Sequence, residues 1–295
     1  MRARILVSGA TGFLGGALVS CLIQNGYEVI PLTRVPLPGA VLWNPEKNFL
    51  ESSPLLDNLE ACIHLAGDPL TLGRWSPAKK RSIFRSRVVG TQLLARSLKV
   101  RSFISASAIG YYGDRGEEIL TEQSPPGSGF LSSVCKAWEE ASCVLEDKGV
   151  HVAQMRFGVI LDAEGGMLQR LLPMYRLGLG AVIGDGSQWV SWISRSDLVR
   201  AILFVLERKL MGPINAVSPH AVRQKELSQE LARWVHRPHW LKVPAWAIRA
   251  LLSTMGEEML LASARVEPSV LLNNGFTFVF PTLTKGVLTH YDGSS

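Results

Sequence analysis

The sequence predicts an α/β fold, a doubly wound parallel sheet with a smaller C-terminal substrate lobe. Three observations support this prediction. Short apolar runs alternate with segments of helical periodicity through the first half of the chain, the first run leads directly into a glycine-rich turn, and the second half is less regular. Alternating strands and helices form βαβ units with right-handed crossovers, so a ligand is expected beyond the carboxyl ends of the strands.

The strands and helices of the first half follow from hydrophobic periodicity and from the turn residues between the runs. The predicted strands are Arg4–Ser8, Glu28–Thr33, Ala40–Trp43, Ala61–Leu65, Ser102–Ser107 and Val150–Arg156. The predicted helices are Phe13–Gln24, Pro77–Leu98 and Phe130–Asp147, and residues 44–58 are predicted to form a polar connection.

The glycine-rich turn follows the first strand and has the spacing G-x-x-G-x-x-G at Gly9, Gly12 and Gly15. Strand, glycine turn and helix in this order are the context of a dinucleotide-binding motif. Gly9 permits the tight turn, Gly12 lets the backbone approach a pyrophosphate, and Gly15 lets the helix pack close to the strand. The start of the helix supplies N–H groups and a positive dipole end for phosphates. We therefore expect residues 1–160 to form a Rossmann NAD(P)-binding domain.

The residue after the second strand indicates which dinucleotide is bound. Arg34 stands 19 residues beyond Gly15, where an acidic residue would bind the ribose of NAD and an arginine suits the 2′-phosphate of NADP. Another apolar strand, Ala61–Leu65, leads into the small residues of Leu65-Ala66-Gly67, which leave room for an adenine or a ribose. The sequence therefore predicts NADP in preference to NAD.

The second half, residues 161–295, is predicted to form most of the substrate lobe, with segments near 192–217 returning to the first domain. Its predicted elements are a long loop region punctuated by glycines from Gly165 to Gly186, a helix at Ser196–Leu206, a strand at Ile214–Val217, a helix at Gln224–His236, a loop and then a helix in Pro238–Ser263, a strand at Gly275–Phe280 and a helix at Thr284–Tyr291.

Composition restricts the function classes. The 295-residue chain is 47% hydrophobic with a net charge of +6, which is typical of a compact enzyme and argues against disorder. Its one basic cluster, Arg74 to Arg87, is either an attractor for an anionic nucleotide or a solvated helix face. No pattern indicates nucleic acid binding or a metal site. Four unpatterned cysteines and the lack of a membrane-spanning stretch predict a cytoplasmic protein that does not bind membranes.

Many short motifs occur in a consistent order between Gly9 and Asp197. They include Leu65-Ala66-Gly67, Gly73-Arg74-Trp75, Ser86-Arg87, Gly90-Thr91-Gln92, Ser105 to Asp114, Trp138-Glu139, Arg156-Phe157-Gly158-Val159 and Trp192-Ile193. With these motifs the chain resembles the extended short-chain dehydrogenase/reductase superfamily, and in particular its atypical YfcH-like, NAD(P)-dependent epimerase-like branch. The resemblance covers essentially the whole chain.

The resemblance implies catalysis by a serine or threonine together with a Tyr-x-x-x-Lys pair on a helix, where the lysine lowers the pKa of the phenol and binds the nicotinamide ribose. Lys136 matches the lysine and Ser107 matches the serine, but Ser132 stands where the tyrosine belongs. Tyr111 is the best candidate for a substitute acid, whereas Tyr112 matches a structural tyrosine of the superfamily.

The motif, the strand ends and the resemblance together give the predicted site. Its catalytic residues are Ser107, Tyr111 and Lys136. Its cofactor-binding residues are Gly9, Thr11, Gly12, Phe13, Leu14, Gly15, Thr33, Arg34, Leu65, Ala66, Gly67, Arg87, Lys136, Phe157, Gly158 and Val159. Arg87 could instead be structural, and Trp192 and Asp197 are predicted to hold the second lobe to the first.

Two functions remain open at this point. The first is an NADP-dependent epimerase, dehydratase or reductase that acts on a nucleotide sugar or a small carbonyl compound. The second is a non-catalytic NADP-binding redox sensor or regulatory protein, which Ser132 favours because a fold does not carry a function when its site residues are absent. The resemblance also makes a homodimer an expectation.

Overall fold

A central sheet of eight strands organises the computed structural model, which describes residues 2–70 and 74–288. The strands are β1 (Arg4–Ser8), β2 (Glu28–Thr33), β3 (Val41–Asn44), β4 (Phe49–Leu50), β5 (Leu59–His64), β6 (Ser102–Ala108), β7 (His151–Phe157) and β8 (Gly212–Ala216). Their order in the sheet is β8-β7-β6-β5-β1-β2-β3-β4, and every pairing is parallel except that of β3 with β4. The strand order reverses direction at β1 and β5, which is the position where such sheets bind ligands.

Helices cover both faces of this sheet. They are α1 (Phe13–Gln24), α2 (Pro77–Ser97), α3 (Phe130–Cys143), α4 (Gly166–Arg176), α5 (Arg195–Arg208), α6 (Gln224–Trp234), α7 (Ala245–Leu252), α8 (Thr254–Gly256) and α9 (Ser269–Asn273). Alternate residues of β1 point to opposite faces, so Ile5 packs with Leu18 of α1 while Leu6 packs with Leu94 of α2. Burial on both faces explains why the strands are continuously apolar, and it confirms the predicted doubly wound α/β fold.

The second half adds short strand pairs and a separate apolar cluster. Four parallel or antiparallel pairs form at Val159–Leu161 with Trp192–Ser194, Ala181–Ile183 with Leu241–Val243, Trp189–Val190 with Val222–Arg223, and Ile119–Leu120 with Arg265–Val266. Leu172 of α4 and Leu231 of α6 pack with the buried Trp192 in this cluster. β8 meanwhile pairs with β7 in the central sheet.

The prediction of a strand at Gly275–Phe280 is wrong. This segment runs as irregular chain in which the buried rings of Phe276 and Phe278 lie 4.8 Å apart, and Phe276 also packs on Phe204 of α5. The backbone N–H groups of Val279 and Phe280 donate to the carboxylate of Asp197 instead of to a neighbouring strand. The alternating phenylalanines therefore reflect packing on a helix rather than a sheet.

Other elements also differ from the sequence prediction. Residues 44–58, predicted as a polar connection, contain β4, and α3 ends at Cys143 rather than at Asp147. The region from Gly165 to Gly186, predicted as a loop, contains α4. The glycines of this region lie at the start of α4 or beyond its end, so the interior of the helix contains none. The predicted final helix at Thr284–Tyr291 is a 3-10 turn over Lys285–Leu288, and its remaining residues lie outside the described part of the chain.

The C-terminal segment contacts the helix that carries the predicted lysine. A π-helical turn at Glu257–Leu261 follows α8, and both oxygens of Glu258 accept from the backbone N–H groups of Phe130 and Leu131 at the start of α3. A carboxylate at a helix N-terminus is favourable for the dipole as well as for the unpaired N–H groups. Glu258 therefore fixes the start of α3 against the C-terminal segment.

Candidate functional site

The glycine turn between β1 and α1 has the geometry that each glycine was predicted to provide. Gly9 has a φ of +72°, and an added Cβ there would lie 3.1 Å from the backbone nitrogen of Ala66. A Cβ at Gly15 would overlap the Gly9 carbonyl, whose carbon would be 2.8 Å away. Gly12 is exposed, and its N–H donates to the Gly9 carbonyl oxygen at 2.9 Å. The turn is thus closed on its inner side and open to solvent at Gly12.

The start of α1 suits a phosphate group. Gly12 is the N-cap, no side chain caps the helix, and its first turn contains no acidic residue. The exposed Thr11 and the half-buried Phe13 and Leu14 border this end. Uncapped N–H groups at a helix N-terminus with no competing carboxylate fit the pyrophosphate of a dinucleotide.

A buried serine and histidine, which the sequence analysis missed, brace the strand ends beneath this turn. The Ser8 hydroxyl at the end of β1 accepts from the N–H groups of Leu65 and Ala66, both at 3.1 Å, and therefore donates its proton to Nδ1 of His64 at 2.6 Å. Burial, with a smaller contribution from the charge of Arg87, lowers the pKa of His64 to about 3. A neutral His64 thus holds the end of β5 against the end of β1.

Arg34 shares its surroundings with a second arginine that the sequence analysis did not single out. Together with Ser86, Asn44 and Glu46, Arg34 and Arg85 line a cavity of about 150 Å³ just beyond β2. Both guanidinium groups are exposed, and Thr33, the last residue of β2, bonds to the Val35 carbonyl. Two arginines at one small cavity form a basic pocket suited to a phosphate monoester.

Arg87 lies beside the end of β5 rather than at the surface. A Cβ on Gly67 would lie 3.3 Å from the Arg87 guanidinium, which donates to the Asp68 carbonyl at 3.1 Å and lies 5.2 Å from the Trp138 ring. Burial lowers the pKa of Arg87. These contacts hold the Leu65-Ala66-Gly67 segment against α2, which is a structural role for Arg87.

The rest of the basic cluster is divided between structural contacts and solvent. Arg74 donates to the carbonyls of Ala250 and Leu251, and Lys79 pairs with Asp68 at 2.7 Å. Arg85 remains exposed at the cavity that it shares with Arg34. Gly73, part of one motif of the resemblance, lies outside the described residues.

Ser107 belongs to a buried polar network between β6, β7 and α3. Ser107 and Arg156 are register partners on adjacent strands, so their side chains point to the same face. Glu139 of α3 bridges them: Ser107 Oγ donates to Oε1 at 2.6 Å, and Arg156 forms a two-bond ion pair with both oxygens at 2.9 and 2.8 Å. The hydroxyl proton of Ser107 is therefore engaged by Glu139. The sequence contained Glu139 and Arg156 in two motifs, but only the strand register reveals that they meet.

The two adjacent tyrosines have different surroundings. The Tyr112 hydroxyl is fully buried, accepts from Arg156 at 2.8 Å and lies 2.7 Å from Asn215 Oδ1, and burial raises its pKa to about 12. Tyr111 is half-buried, and its ring centroid lies 3.6 Å from the guanidinium carbon of Arg156. Its hydroxyl lies near the donor groups of Arg156, and among the described residues no hydrogen bond leads from it to an acceptor. Tyr111 is therefore the phenol of this pair that is open to a ligand.

The helix residues that match the Tyr-x-x-x-Lys pattern do not form a proton-transfer pair. The Ser132 hydroxyl is buried and lies 2.8 and 2.9 Å from the carbonyl oxygens of Tyr111 and Gly127, which share its single proton. Lys136 is exposed and lies 3.9 Å from Glu140. Ser132 therefore fixes the turn that carries Tyr111, and Lys136 remains accessible at the surface of α3.

The segment after β7 is positioned by backbone bonds. The N–H of Gly158 donates to the Ala216 carbonyl at 3.0 Å and that of Val159 to the Ser191 carbonyl at 2.9 Å. A Cβ on Gly158 would lie 2.8 Å from the Ser191 oxygen, so a side chain is not accommodated there. Phe157 is half-buried beside this turn.

Two further findings concern the described residues as a whole. In residues 2–70 and 74–288, no cluster of histidine, cysteine, aspartate and glutamate side chains has the geometry to hold a metal ion. None of the helices in these ranges is both long enough and apolar enough to span a membrane.

Similar proteins support the interpretation of the fold. A model of the NAD dependent epimerase/dehydratase family matches residues 5–217, and a domain of unknown function (DUF1731) matches residues 243–287. The epimerase family protein Mb2239 of Mycobacterium bovis is 36% identical over 287 residues, which is 95% of each chain.

Two solved structures extend this comparison. The human epimerase family protein SDR39U1 (isoform 2), solved with NADPH, has a TM-score of 0.85 at 30% identity and matches 95% of this chain and 96% of its own. A nucleoside-diphosphate sugar epimerase from Corynebacterium glutamicum has a TM-score of 0.78 at 35% identity, matching 96% of this chain but 56% of that one. These findings confirm the resemblance seen in the sequence, and the chain belongs to the NAD dependent epimerase/dehydratase family.

Proposed function

We propose that this protein binds NADP(H) and uses it in an epimerase, dehydratase or reductase reaction on a nucleotide sugar or a small carbonyl compound. The observation that carries the proposal is the half-buried Tyr111, a phenol open to ligands and stacked on a buried guanidinium close to the strand ends. The human relative solved with NADPH and the epimerase from Corynebacterium glutamicum support the cofactor and the substrate class.

The preference for NADP over NAD rests on the cavity beyond β2. Arg34 and Arg85 would hold the 2′-phosphate there, and the uncapped start of α1 would hold the pyrophosphate. Gly12 leaves the backbone accessible at that point. When bound, the dinucleotide supplies hydride transfer at its nicotinamide, and the protein supplies its position and the proton.

The assignment of the acid depends on which of the four nearby hydroxyl groups already donate their proton to another group of the protein. Ser107 donates to Glu139, Tyr112 lies in a closed network, and Ser132 donates to backbone carbonyls. Tyr111 is left to give a proton to the substrate oxygen or to take one from it. Because the proton of Ser107 goes to Glu139, Ser107 would orient the substrate by accepting a hydrogen bond from a hydroxyl group of the substrate. Lys136 would bind the nicotinamide ribose.

Purified protein with NADPH and a panel of carbonyl compounds and nucleotide sugars tests this proposal. We expect turnover that the Tyr111→Phe variant loses by about 100-fold or more, which is the usual contribution of a positioned acid. Tyr27→Phe is the matched control, because Tyr27 directly precedes β2 and so lies at the amino ends of the strands, whereas Tyr111 follows the carboxyl end of β6. Both variants lose one hydroxyl. Equal activity of both variants would contradict the role of Tyr111.

A redox sensor without catalysis is the second candidate, and the engaged hydroxyls of Ser107 and Ser132 favour it. This alternative predicts tight NADPH binding with no turnover of any compound in the panel. Turnover by the wild-type protein that is lost in Tyr111→Phe would exclude this alternative, so the same two proteins distinguish the functions.

A further inference from the structure

Arg156 occupies an unusual position for a positively charged side chain. It is 3% exposed, it is held by two hydrogen bonds to Glu139, and its guanidinium carbon lies over the ring of Tyr111, 3.6 Å from the centroid. Glu139 also accepts a hydrogen bond from Ser107, and Arg156 also donates to the phenol oxygen of Tyr112. A buried guanidinium with this many fixed partners has a single orientation.

We propose that Arg156, fixed by Glu139, is the positioning residue that supports proton transfer at Tyr111, in the place that the helix lysine has in the Tyr-x-x-x-Lys arrangement. This inference rests on the proposed function, because it assigns a partner to the acid named there. It concerns the chain's own residues and can be measured without a substrate.

The stacking geometry favours the charged form of the phenol. A cation over an aromatic face is attracted to the neutral ring, and it is attracted more strongly once the ring carries a negative charge. The low local dielectric around a buried guanidinium strengthens this effect. Lys136, by contrast, is exposed and lies near Glu140, so solvent screens its charge.

The ionisable groups around Tyr111 act in opposite directions. Burial raises its pKa, and the Arg156 charge and hydrogen bonding oppose that rise, whereas the carboxylates of Glu139 and Glu140 on α3 add to it. Tyr112, on the same turn, stays protonated because its pKa is about 12. The remaining neighbours of Tyr111 in its cluster, which include Leu120 and Val217, are apolar. Arg156 is therefore the cation that faces the phenol among the described residues.

Titration of Tyr111 in variants of the network tests the proposal. Protein labelled with carbon-13 at the tyrosine ζ position is titrated by NMR, and the Tyr111→Phe variant identifies the resonance among the five tyrosines. Glu139→Gln removes a carboxylate and leaves the guanidinium, so we expect the pKa of Tyr111 to fall. The double variant Glu139→Gln/Arg156→Gln removes both charges without leaving either one buried alone, so we expect that pKa to rise above the wild-type value.

Opposite shifts from these two variants separate electrostatics from general loosening of the fold. Lys136→Gln is the matched control and should leave the titration of Tyr111 unchanged. Thermal unfolding of each variant checks that the fold is retained, and the double variant keeps the test open if Glu139→Gln unfolds. Shifts in the same direction, or an equal shift in Lys136→Gln, would overturn the proposal.

The same proteins keep this inference distinct from the proposed function. If the titrations behave as expected but Tyr111→Phe retains full turnover, the coupling of Arg156 to Tyr111 holds and the assignment of the acid fails. If turnover depends on Tyr111 but the pKa of Tyr111 does not change in the variants of Arg156 and Glu139, the assignment of the acid holds and the role proposed for Arg156 fails. NADPH affinity, expected to stay within about twofold in the variants of Tyr111, Glu139 and Arg156, excludes an indirect loss of cofactor.

Discussion

Reversing the charge of Arg34 should change the cofactor preference of this protein. Arg34 and Arg85 line one cavity of about 150 Å³ beyond β2, and the NAD molecule has no phosphate to place there. In Arg34→Glu, a carboxylate takes the place of one of the two guanidinium groups. We therefore expect weaker binding of NADPH and unchanged binding of NADH.

The magnitude follows from the two arginines and from their exposure. A hydrogen bond to a charged group contributes about 1.5–3 kcal/mol, so its loss weakens binding by about 10- to 150-fold. Both side chains are exposed, and salt screens exposed charges over about 8 Å at physiological ionic strength. Because Arg85 remains in place, we expect the lower part of this range at physiological salt and a larger loss at low salt.

Isothermal titration calorimetry with NADPH and NADH measures both affinities. Arg81→Glu is the matched control, because Arg81 is exposed one turn earlier on α2, undergoes the same charge change and does not line the cavity. Equal losses for NADPH and NADH, or an equal loss in Arg81→Glu, would refute the assignment of the 2′-phosphate pocket.

Three further predictions concern stability. Gly15→Ala should lower the free energy of unfolding by about 1–3 kcal/mol, because its Cβ would overlap a backbone carbonyl. Gly16→Ala in the same helix should be neutral or stabilising in thermal unfolding, because its Cβ would lie 4.0 Å from the Ala10 carbonyl oxygen, an ordinary contact distance. Because the pKa of His64 is lower in the folded than in the unfolded state, the unfolded chain binds the extra proton, and the free energy of unfolding should fall by up to about 1.4 kcal/mol per pH unit as the pH drops below about 6.5. Urea unfolding of His64→Gln should lack this contribution to the pH dependence. Asp197→Asn should cost about 1.5–3 kcal/mol and speed hydrogen exchange of the two N–H groups bound to that carboxylate, and unchanged exchange would contradict its docking role.

Local sequence patterns correctly predicted those strands and helices whose ends are marked by local turn residues and apolar periodicity. The boundaries of β1, α1 and β2 agree with the prediction to the residue, because glycine turns and apolar periodicity mark them directly. The Gly275–Phe280 segment was mistaken for a strand because alternation alone cannot distinguish pairing with a strand from packing on a helix. Its hydrogen bonds go to Asp197, a partner that no local pattern reveals.

The candidate site likewise contains residues that local sequence patterns predict and residues that only tertiary contacts bring together. The glycine turn and Arg34 could be read from spacing, whereas Arg85 joins Arg34 only because α2 passes over the end of β2. Glu139 and Arg156 meet through strand register and helix packing, which depend on contacts far apart in the sequence. The absence of a tyrosine at Ser132 was visible from the sequence, but the cation stacked on Tyr111 was not.

A crystal structure of the protein with NADPH would test the central claim most directly. We predict that the 2′-phosphate lies between Arg34 and Arg85, that the pyrophosphate lies at the start of α1, and that Tyr111 is the phenol nearest to the nicotinamide C4. A nicotinamide that faces away from Tyr111, or a 2′-phosphate outside the cavity beyond β2, would contradict the account.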